Sequence, residues 1–159
     1  MMVYLAAGGR QRIVLGEAVL THLDRHRQSR PGDTEAGGQL FARFVGNDVL
    51  VDVATGPRPT DGRGRFLFLP NRLAERREIG RMFRAGLHYV GDWHTHPETH
   101  PTPSGTDIRS MTDMFRRSRH DLAAFVMVIV GTAMPPAGLF VGLATAADVI
   151  RLGPAAADD

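Results

Sequence analysis

The stretch GDWHTHPETHPTPSGTD, residues 91–107, contains the residues that decide how this chain is interpreted. It follows residues 88–93, which have the pattern of a β-strand leading directly into a polar segment. Side chains two residues apart in an extended chain point to the same side, so the imidazoles of His94 and His96 can converge on one point. Three prolines stiffen the loop that follows, and this loop can hold Asp107 close to the two histidines.

Two histidines and one carboxylate form a donor set typical of a catalytic zinc site, because three protein ligands leave the fourth tetrahedral position open. Simpler interpretations exist for each half of the pattern. Ser104-x-x-Asp107 is also a capping pattern at the start of a helix, and the histidines could face solvent in a polar loop. The complete spacing favours the metal site: His-x-His, seven residues, Ser, two residues, Asp.

Outward from this stretch, the sequence predicts helices at 16–27, 72–85 and 105–119. It predicts strands at 38–45, 49–54, 66–69, 88–93, 123–131 and 138–144, and a polar Gly/Pro loop at 56–64. The nearly apolar run 123–131 is expected to be a central strand buried on both faces. Helices alternate with strands, but hairpins occur too, so the prediction is a mixed α/β fold with helices packed on a mixed sheet.

The second predicted helix has clear start and stop signals. Asn71 is a good N-cap and Gly86 a good C-terminal stop. Its apolar residues are expected to face the core: Leu73, Ile79, Met82 and Phe83.

Length and composition bound the class of protein. A chain of 159 residues fits one domain, placed at 1–153 and followed by a flexible tail at 154–159. No apolar run approaches the roughly 20 residues of a membrane helix, and the start of the chain does not have the pattern of a secretory signal. Cysteine is absent, which excludes disulfides and thiolate ligands. The expectation is a cytoplasmic protein without a membrane partner, and a net charge of +2 gives little support for a nucleic-acid partner.

The spacing of His94, His96, Ser104 and Asp107, together with an acidic residue upstream, resembles the JAMM motif of the JAB/MPN metalloenzyme family. The matching upstream residue is Glu35, at the entrance to a predicted strand. The resemblance implies the JAB/MPN fold, which is similar to that of cytidine deaminases: a largely antiparallel, curved sheet packed by helices.

The resemblance extends in coarse order over residues 35–144, and the short form without large insertions is similar to the bacterial stand-alone JAB branch. It implies a zinc-dependent peptidase or isopeptidase that cuts after the C-terminal glycine of a ubiquitin-like protein, in deconjugation or precursor processing. A bacterial antiphage conjugation system is one such setting. The implied partners are the ubiquitin-like protein or its conjugate, and E1- or E2-like proteins of the same system.

The resemblance also implies a role for each site residue. One Zn²⁺ would be held by His94, His96 and Asp107. Glu35 would act as general base and pass the proton of the attacking water to the leaving amine. Ser104 would donate a hydrogen bond to the developing oxyanion.

Several alternatives stay open for single residues. Asp33 and Asp92 compete with Glu35 for the role of base, and Ser104 could serve only as a helix cap. Glu98 could touch substrate or face water, and His100 is expected to be a solvated loop residue.

Two other functions share the family. RadC-type DNA-associated proteins have a His-Asn-His-Pro-Ser-Gly version of the motif, from which this chain departs at Thr95 and at 98–99. Non-catalytic MPN scaffold subunits lack the metal ligands, all of which are present here. A zinc deaminase is excluded because it needs paired cysteines, and the zincin motif His-Glu-x-x-His does not occur.

Overall fold

A computed structural model describes residues 1–156. The α-helices are α1 (Glu17–Arg25), α2 (Arg72–Arg84) and α3 (Gly105–Arg117). The strands are β1 (Met2–Ala6), β2 (Gln11–Leu15), β3 (Gly37–Val45), β4 (Asp48–Ala54), β5 (Gly62–Gly64), β6 (Leu67–Leu69), β7 (His88–Thr95), β8 (Phe125–Val130), β9 (Leu139–Ala144), β10 (Val149–Arg151) and β11 (Gly153–Pro154). In this part of the chain, no helix has both the length and the apolar character needed to cross a membrane.

Nine strands form one sheet in the order β10-β9-β8-β7-β3-β4-β2-β1-β11, and β5 pairs with β6 in a separate hairpin. The pairs β2–β4 and β7–β8 are parallel, whereas the other pairs described in this sheet are antiparallel. The register of β3 shifts against both of its neighbours near Phe41, and such irregularities bend a sheet. The predicted fold class, a mixed and largely antiparallel curved sheet packed by helices, is confirmed.

Both faces of the sheet are covered, and β8 shows this most clearly because all six of its residues are buried. Its residues 126, 128 and 130 belong to the same apolar cluster as Val19 and Leu23 of α1. Its residues 125, 127 and 129 belong to a second cluster with Met111 of α3. The predicted two-sided central strand is therefore confirmed, with α1 on one face and α3 on the other.

Helix α2 has the predicted caps but a different buried face. The Asn71 side chain accepts from Ala74 N at 3.1 Å, as an N-cap does. However, Leu73 is 57% exposed and Phe83 is 65% exposed, so the prediction that the apolar side chains all face inward is wrong. The two buried residues of α2 are both acidic, Glu75 and Glu78.

The buried acids of α2 are compensated by arginines. Glu78 forms a salt bridge with Arg58, from the loop after β4, and the two side chains are only 11% and 13% exposed. Glu75 accepts from Arg72 Nη1 at 2.9 Å. A buried carboxylate needs such a partner, which explains why α2 turns these acids inward.

The two ends of the described chain meet at one edge of the sheet. Strand β11 pairs with β1, and Ala155 N donates to Val3 O at 2.8 Å. The predicted tail 154–159 therefore begins within a short strand, and its residues 157–159 lie outside the described part. The boundary between domain and tail at 153 stays a prediction.

Candidate metal centre

His94 and His96 lie at the end of the central strand β7 and share one face of it. The intervening Thr95 faces the other way and is fully buried. The extended conformation continues to His96, whose backbone N–H donates to Val130 O of β8 at 3.0 Å. The two Nε2 atoms are 3.1 Å apart, so the expected convergence of the imidazoles is present.

Asp107 reaches the histidines from the first turn of α3. Ser104 is the N-cap: its Oγ accepts from Asp107 N at 3.0 Å, while Ser104 N donates to Asp107 Oδ2 at 2.8 Å. These two bonds form a capping box, which fixes the direction of the Asp107 carboxylate. Asp107 Oδ2 lies 3.3 Å from His94 Nε2 and 3.2 Å from His96 Nε2. The helix cap and the candidate metal site therefore use the same residues, and the two interpretations of the Ser104–Asp107 pattern are compatible.

The three atoms fit the coordination geometry of zinc. Their separations of 3.1, 3.2 and 3.3 Å form a nearly equilateral triangle. A tetrahedral zinc ion with bonds of about 2.0–2.2 Å separates neighbouring ligand atoms by about 3.3–3.5 Å. Two imidazole nitrogens and one carboxylate oxygen also match the ligand types of catalytic zinc sites. Between residues 1 and 156, the cluster that could hold a metal consists of His94, His96 and Asp107.

The charges at this site favour an ionised carboxylate. Burial alone would raise the pKa of Asp107, but hydrogen bonds with His94 and His96 hold this pKa well below its usual range. The hydrogen bond from Ser104 N acts in the same direction. The pKa of His96 is raised: burial lowers it, but the hydrogen bond and charge of Asp107 outweigh that effect. The triad is therefore an anionic carboxylate facing two imidazole rings.

Glu35 is fixed near the metal ligands by hydrogen bonds to its backbone. Its N–H donates to Gly64 O at 2.6 Å, and its carbonyl accepts from Arg63 Nε at 2.7 Å. The next amide, Ala36 N, donates to Thr95 Oγ1 at 3.0 Å. Strand β5 and the buried side of β7 thus position Glu35, which is 8% exposed and lines the same cleft as the metal triad.

The environment of Glu35 suits a general base. Burial raises the pKa of Glu35 from 4.5 to about 7, while the charge of His96 opposes this rise and that of Asp107 adds to it. A carboxylate with a pKa near neutrality can both accept and release a proton at physiological pH.

The two competing carboxylates have other surroundings. Asp33 accepts from Arg30 N at 3.0 Å within a turn, and it is not one of the residues that line the cleft. Asp92 does line the cleft, and it accepts from the Tyr89 hydroxyl at 2.9 Å. Burial raises the pKa of Asp92 to about 7, and Glu75 adds to the rise. The structure therefore favours Glu35 over Asp33 and leaves Asp92 as the competitor.

A cleft of about 720 Å³ opens over the triad. It runs between α2 and α3 above β7 and β8, and the β5–β6 hairpin forms part of its wall. Its apolar lining includes Phe66, Leu67, Leu69, Met111, Met114 and Met127. The sequence did not predict this lining, because the residues come from three regions that are distant along the chain: the β5–β6 hairpin, α3 and β8.

Glu98, whose role the sequence left open, contacts His96. Its Oε1 lies 2.8 Å from His96 Nδ1, on the ring atom opposite to the one that faces Asp107. The only signal in the sequence is that Glu98 follows His96 after a single proline. His100, in contrast, is exposed and lies 3.1 Å from Ala137 O, in agreement with its prediction as a loop residue.

Similarity to known proteins was found at the level of sequence. The family described as prokaryotic homologs of the JAB domain matches residues 17–141. A protein of Pseudomonas aeruginosa named CD-NTase/cGAS isopeptidase is 33% identical over 136 residues, which cover 82% of this chain and 84% of that protein. A Sinorhizobium fredii protein named "Probable metalloprotease y4qB" is 34% identical over 111 residues, covering 64% of this chain and 65% of that protein.

Similarity was also found at the level of structure. A protein of Desulfitobacterium hafniense with a solution structure aligns with a TM-score of 0.62 at 22% identity. The alignment covers 87% of this chain and 88% of that protein. At this identity the likeness supports the fold alone.

Proposed function

The chain belongs to the family of prokaryotic homologs of the JAB domain, and from this premise we propose that it is a zinc-dependent isopeptidase. Hydrolase activity is what the names of its relatives share, since one is an isopeptidase and another a metalloprotease. The observation that carries the proposal is the triangle of His94 Nε2, His96 Nε2 and Asp107 Oδ2, with Glu35 on the wall of the same cleft.

The metal proposed is zinc, held by His94, His96 and Asp107. A zinc ion bound by three such ligands supplies Lewis acidity toward a carbonyl and lowers the pKa of a water molecule. The chain itself positions the ligands, because the capping box fixes Asp107 and the strand pairing of β7 fixes the segment that carries the two histidines.

Glu35 is proposed to move the proton. Its buried carboxylate accepts a proton from the attacking water and then delivers it to the nitrogen of the leaving amine. The rise of its pKa to about 7 makes both transfers feasible at neutral pH. The hydrogen bonds of its backbone to β5 keep the carboxylate at the cleft rather than in solvent.

Ser104 is proposed to stabilise the oxyanion. Its Oγ uses a lone pair to accept from Asp107 N, so the hydroxyl hydrogen remains free to donate into the cleft. A positioned donor of this kind is worth on the order of 3 kcal/mol in the transition state. Capping and catalysis therefore use different parts of the same hydroxyl group.

The substrate proposed is an isopeptide conjugate of a CD-NTase. The support is the name of the relative from Pseudomonas aeruginosa, CD-NTase/cGAS isopeptidase, which matches most of both chains. The cleft is consistent with a macromolecular substrate, because three large apolar side chains that line it are exposed: Phe66 (75%), Leu67 (52%) and Leu69 (56%). Exposed apolar residues grouped in this way are typical of a protein-binding surface. A glycine at the end of the acyl chain, and E1- or E2-like partners in an antiphage system, remain expectations from the resemblance.

The test is cleavage of a purified conjugate of the cognate CD-NTase by metal-stripped protein, with and without added zinc. Cleavage should appear with zinc and be lost in Asp107→Ala. Asp113→Ala removes another α3 carboxylate, which contacts Arg116 rather than the cleft, and should cleave normally. Absence of cleavage under all conditions would favour the scaffold interpretation, and binding of the chain to DNA instead of the conjugate would favour the RadC-like one.

A further inference from the structure

Glu98 contacts the side of His96 that points away from the triad. His96 Nε2 lies 3.2 Å from Asp107 Oδ2, while His96 Nδ1 lies 2.8 Å from Glu98 Oε1. A neutral imidazole carries its hydrogen on only one of the two nitrogens. A carboxylate accepts but does not donate, so Glu98 favours the ring form with the hydrogen on Nδ1. When a metal binds, that form presents the lone pair of Nε2 to the ion, in place of the hydrogen bond between Nε2 and Asp107.

The backbone of Glu98 is fixed by the connection that follows β8. Its carbonyl accepts from Thr132 N at 2.8 Å. The preceding Gly131 permits this close approach, since a Cβ at that position would lie 2.4 Å from Glu98 O and 2.5 Å from Pro101 Cδ. The loop 97–101 is therefore packed against the sheet, even though the Glu98 side chain itself is 49% exposed.

We propose that Glu98 is a positioning residue that holds His96 in the Nδ1–H form, with Nε2 directed at the metal. This inference rests on the proposed metal site. Partners of this kind on a ligand histidine affect metal affinity by about 10- to 100-fold. Glu98 acts through His96 and needs no contact with substrate.

Three variants separate this role from a general effect of charge. Glu98→Ala removes the acceptor, whereas Glu98→Gln keeps a neutral oxygen that can still accept from Nδ1–H. Asp113→Ala is the matched control, because it removes one carboxylate with nearly the same exposure, 48% against 49% for Glu98. Thermal melting of the metal-stripped proteins checks that each variant folds, and Glu98→Gln keeps the test available if Glu98→Ala does not.

The measurement is the zinc dissociation constant of metal-stripped protein, obtained by competition with a coloured chelator. The absorption spectrum of the Co²⁺-loaded protein provides a second readout. Glu98→Ala should bind zinc about 10- to 100-fold more weakly and change the Co²⁺ spectrum. Glu98→Gln should recover most of the affinity with a spectrum like that of wild type, and Asp113→Ala should stay within about twofold of wild type.

The outcomes distinguish the two proposals. Affinities of Glu98→Ala and Glu98→Gln within about twofold of wild type would overturn the role of Glu98 and leave the metal site intact. An equal loss in both Glu98 variants, with no rescue by glutamine, would also overturn it. Failure of wild type itself to bind zinc would refute the proposed function, and the role of Glu98 with it.

Discussion

Replacing Glu35 with glutamine separates the reactivity of this carboxylate from its effect on the fold. The variant keeps the size of the side chain but removes the group that takes the proton. General acid–base groups contribute about 100- to 10,000-fold to rate, so cleavage of the conjugate should fall by at least about 100-fold. Zinc content should stay unchanged, because Glu35 is not one of the three residues whose atoms form the ligand triangle.

The same substitution should stabilise the metal-free protein, and increasingly so as pH rises. Burial raises the pKa of Glu35 from 4.5, its usual value in an unfolded chain, to about 7. The folded protein therefore binds this proton more tightly than the unfolded chain does. The contribution of Glu35 to stability is most favourable below about pH 4.5 and is lost as pH rises toward 7.

The size of this effect follows from the pKa shift. One pKa unit corresponds to about 1.4 kcal/mol, so the rise from 4.5 to about 7 costs at most about 3.5 kcal/mol above pH 7. Water in the open cleft screens the carboxylate and reduces the expected cost to about 2 kcal/mol. Glutamine does not titrate, so its variant is free of this pH dependence.

The assay is urea unfolding of metal-stripped wild type and Glu35→Gln at pH 5 and at pH 8. Part of this cost is already present at pH 5, so the stability advantage of the variant should grow by about 1–2 kcal/mol between these two values. Asp113→Asn serves as control, since the Asp113 side chain is 48% exposed and does not line the cleft. A stability difference that does not change with pH, or cleavage by Glu35→Gln at the wild-type rate, would refute the reasoning and direct attention to Asp92.

Three further predictions concern other parts of the molecule. Ser104→Ala should lower kcat by roughly 100-fold or more and stability by about 1 kcal/mol, measured by kinetics and melting; a folded variant with near-normal kcat would rule out the oxyanion role. Glu78→Ala should lower the free energy of unfolding by about 3–5 kcal/mol, because it leaves Arg58 buried without its carboxylate. Arg81→Ala removes the exposed partner of Glu78 and should lower it by under about 1 kcal/mol; equal losses in urea unfolding would contradict this. His96→Ala should lose the bound zinc found in wild type, and equal zinc content by metal analysis would disprove the ligand assignment.

The residues of the metal site are predictable from sequence because each follows a local rule. Alternation along an extended chain places His94 and His96 on one side, and the Ser104–Asp107 pair is a local pattern at a helix start. The nearly apolar composition of residues 123–131 is enough to predict a strand that is buried on both faces. These features need no knowledge of distant residues, and the structure has them where the sequence predicts them.

The buried face of α2 is not predictable in this way. The helix itself and its Asn71 cap follow from local signals, but its inward residues are Glu75 and Glu78. The burial of Glu78 depends on Arg58, which comes from a loop 20 residues earlier and supplies the opposite charge, whereas Glu75 pairs with Arg72 of the same helix. A rule that places apolar side chains inward fails where a buried ion pair replaces apolar packing.

The strands β1 and β2, near one edge of the sheet, could also not be predicted from the sequence. Strands β1 and β2 have five residues each, and runs of this length carry little periodic signal. Their positions depend on pairing with β11 and β4, which lie far along the chain. The contact of Glu98 with His96 is hidden for a related reason, because it depends on which way the imidazole ring is turned.

Anomalous diffraction from crystals of the zinc-loaded protein tests most directly where the metal lies. A single strong peak should lie about 2.0–2.2 Å from His94 Nε2, His96 Nε2 and Asp107 Oδ2. Asp107→Ala crystals grown in the same way should lack this peak. A zinc peak bound by other residues, or the same peak in Asp107→Ala, would contradict the assignment of these three residues as the catalytic metal ligands.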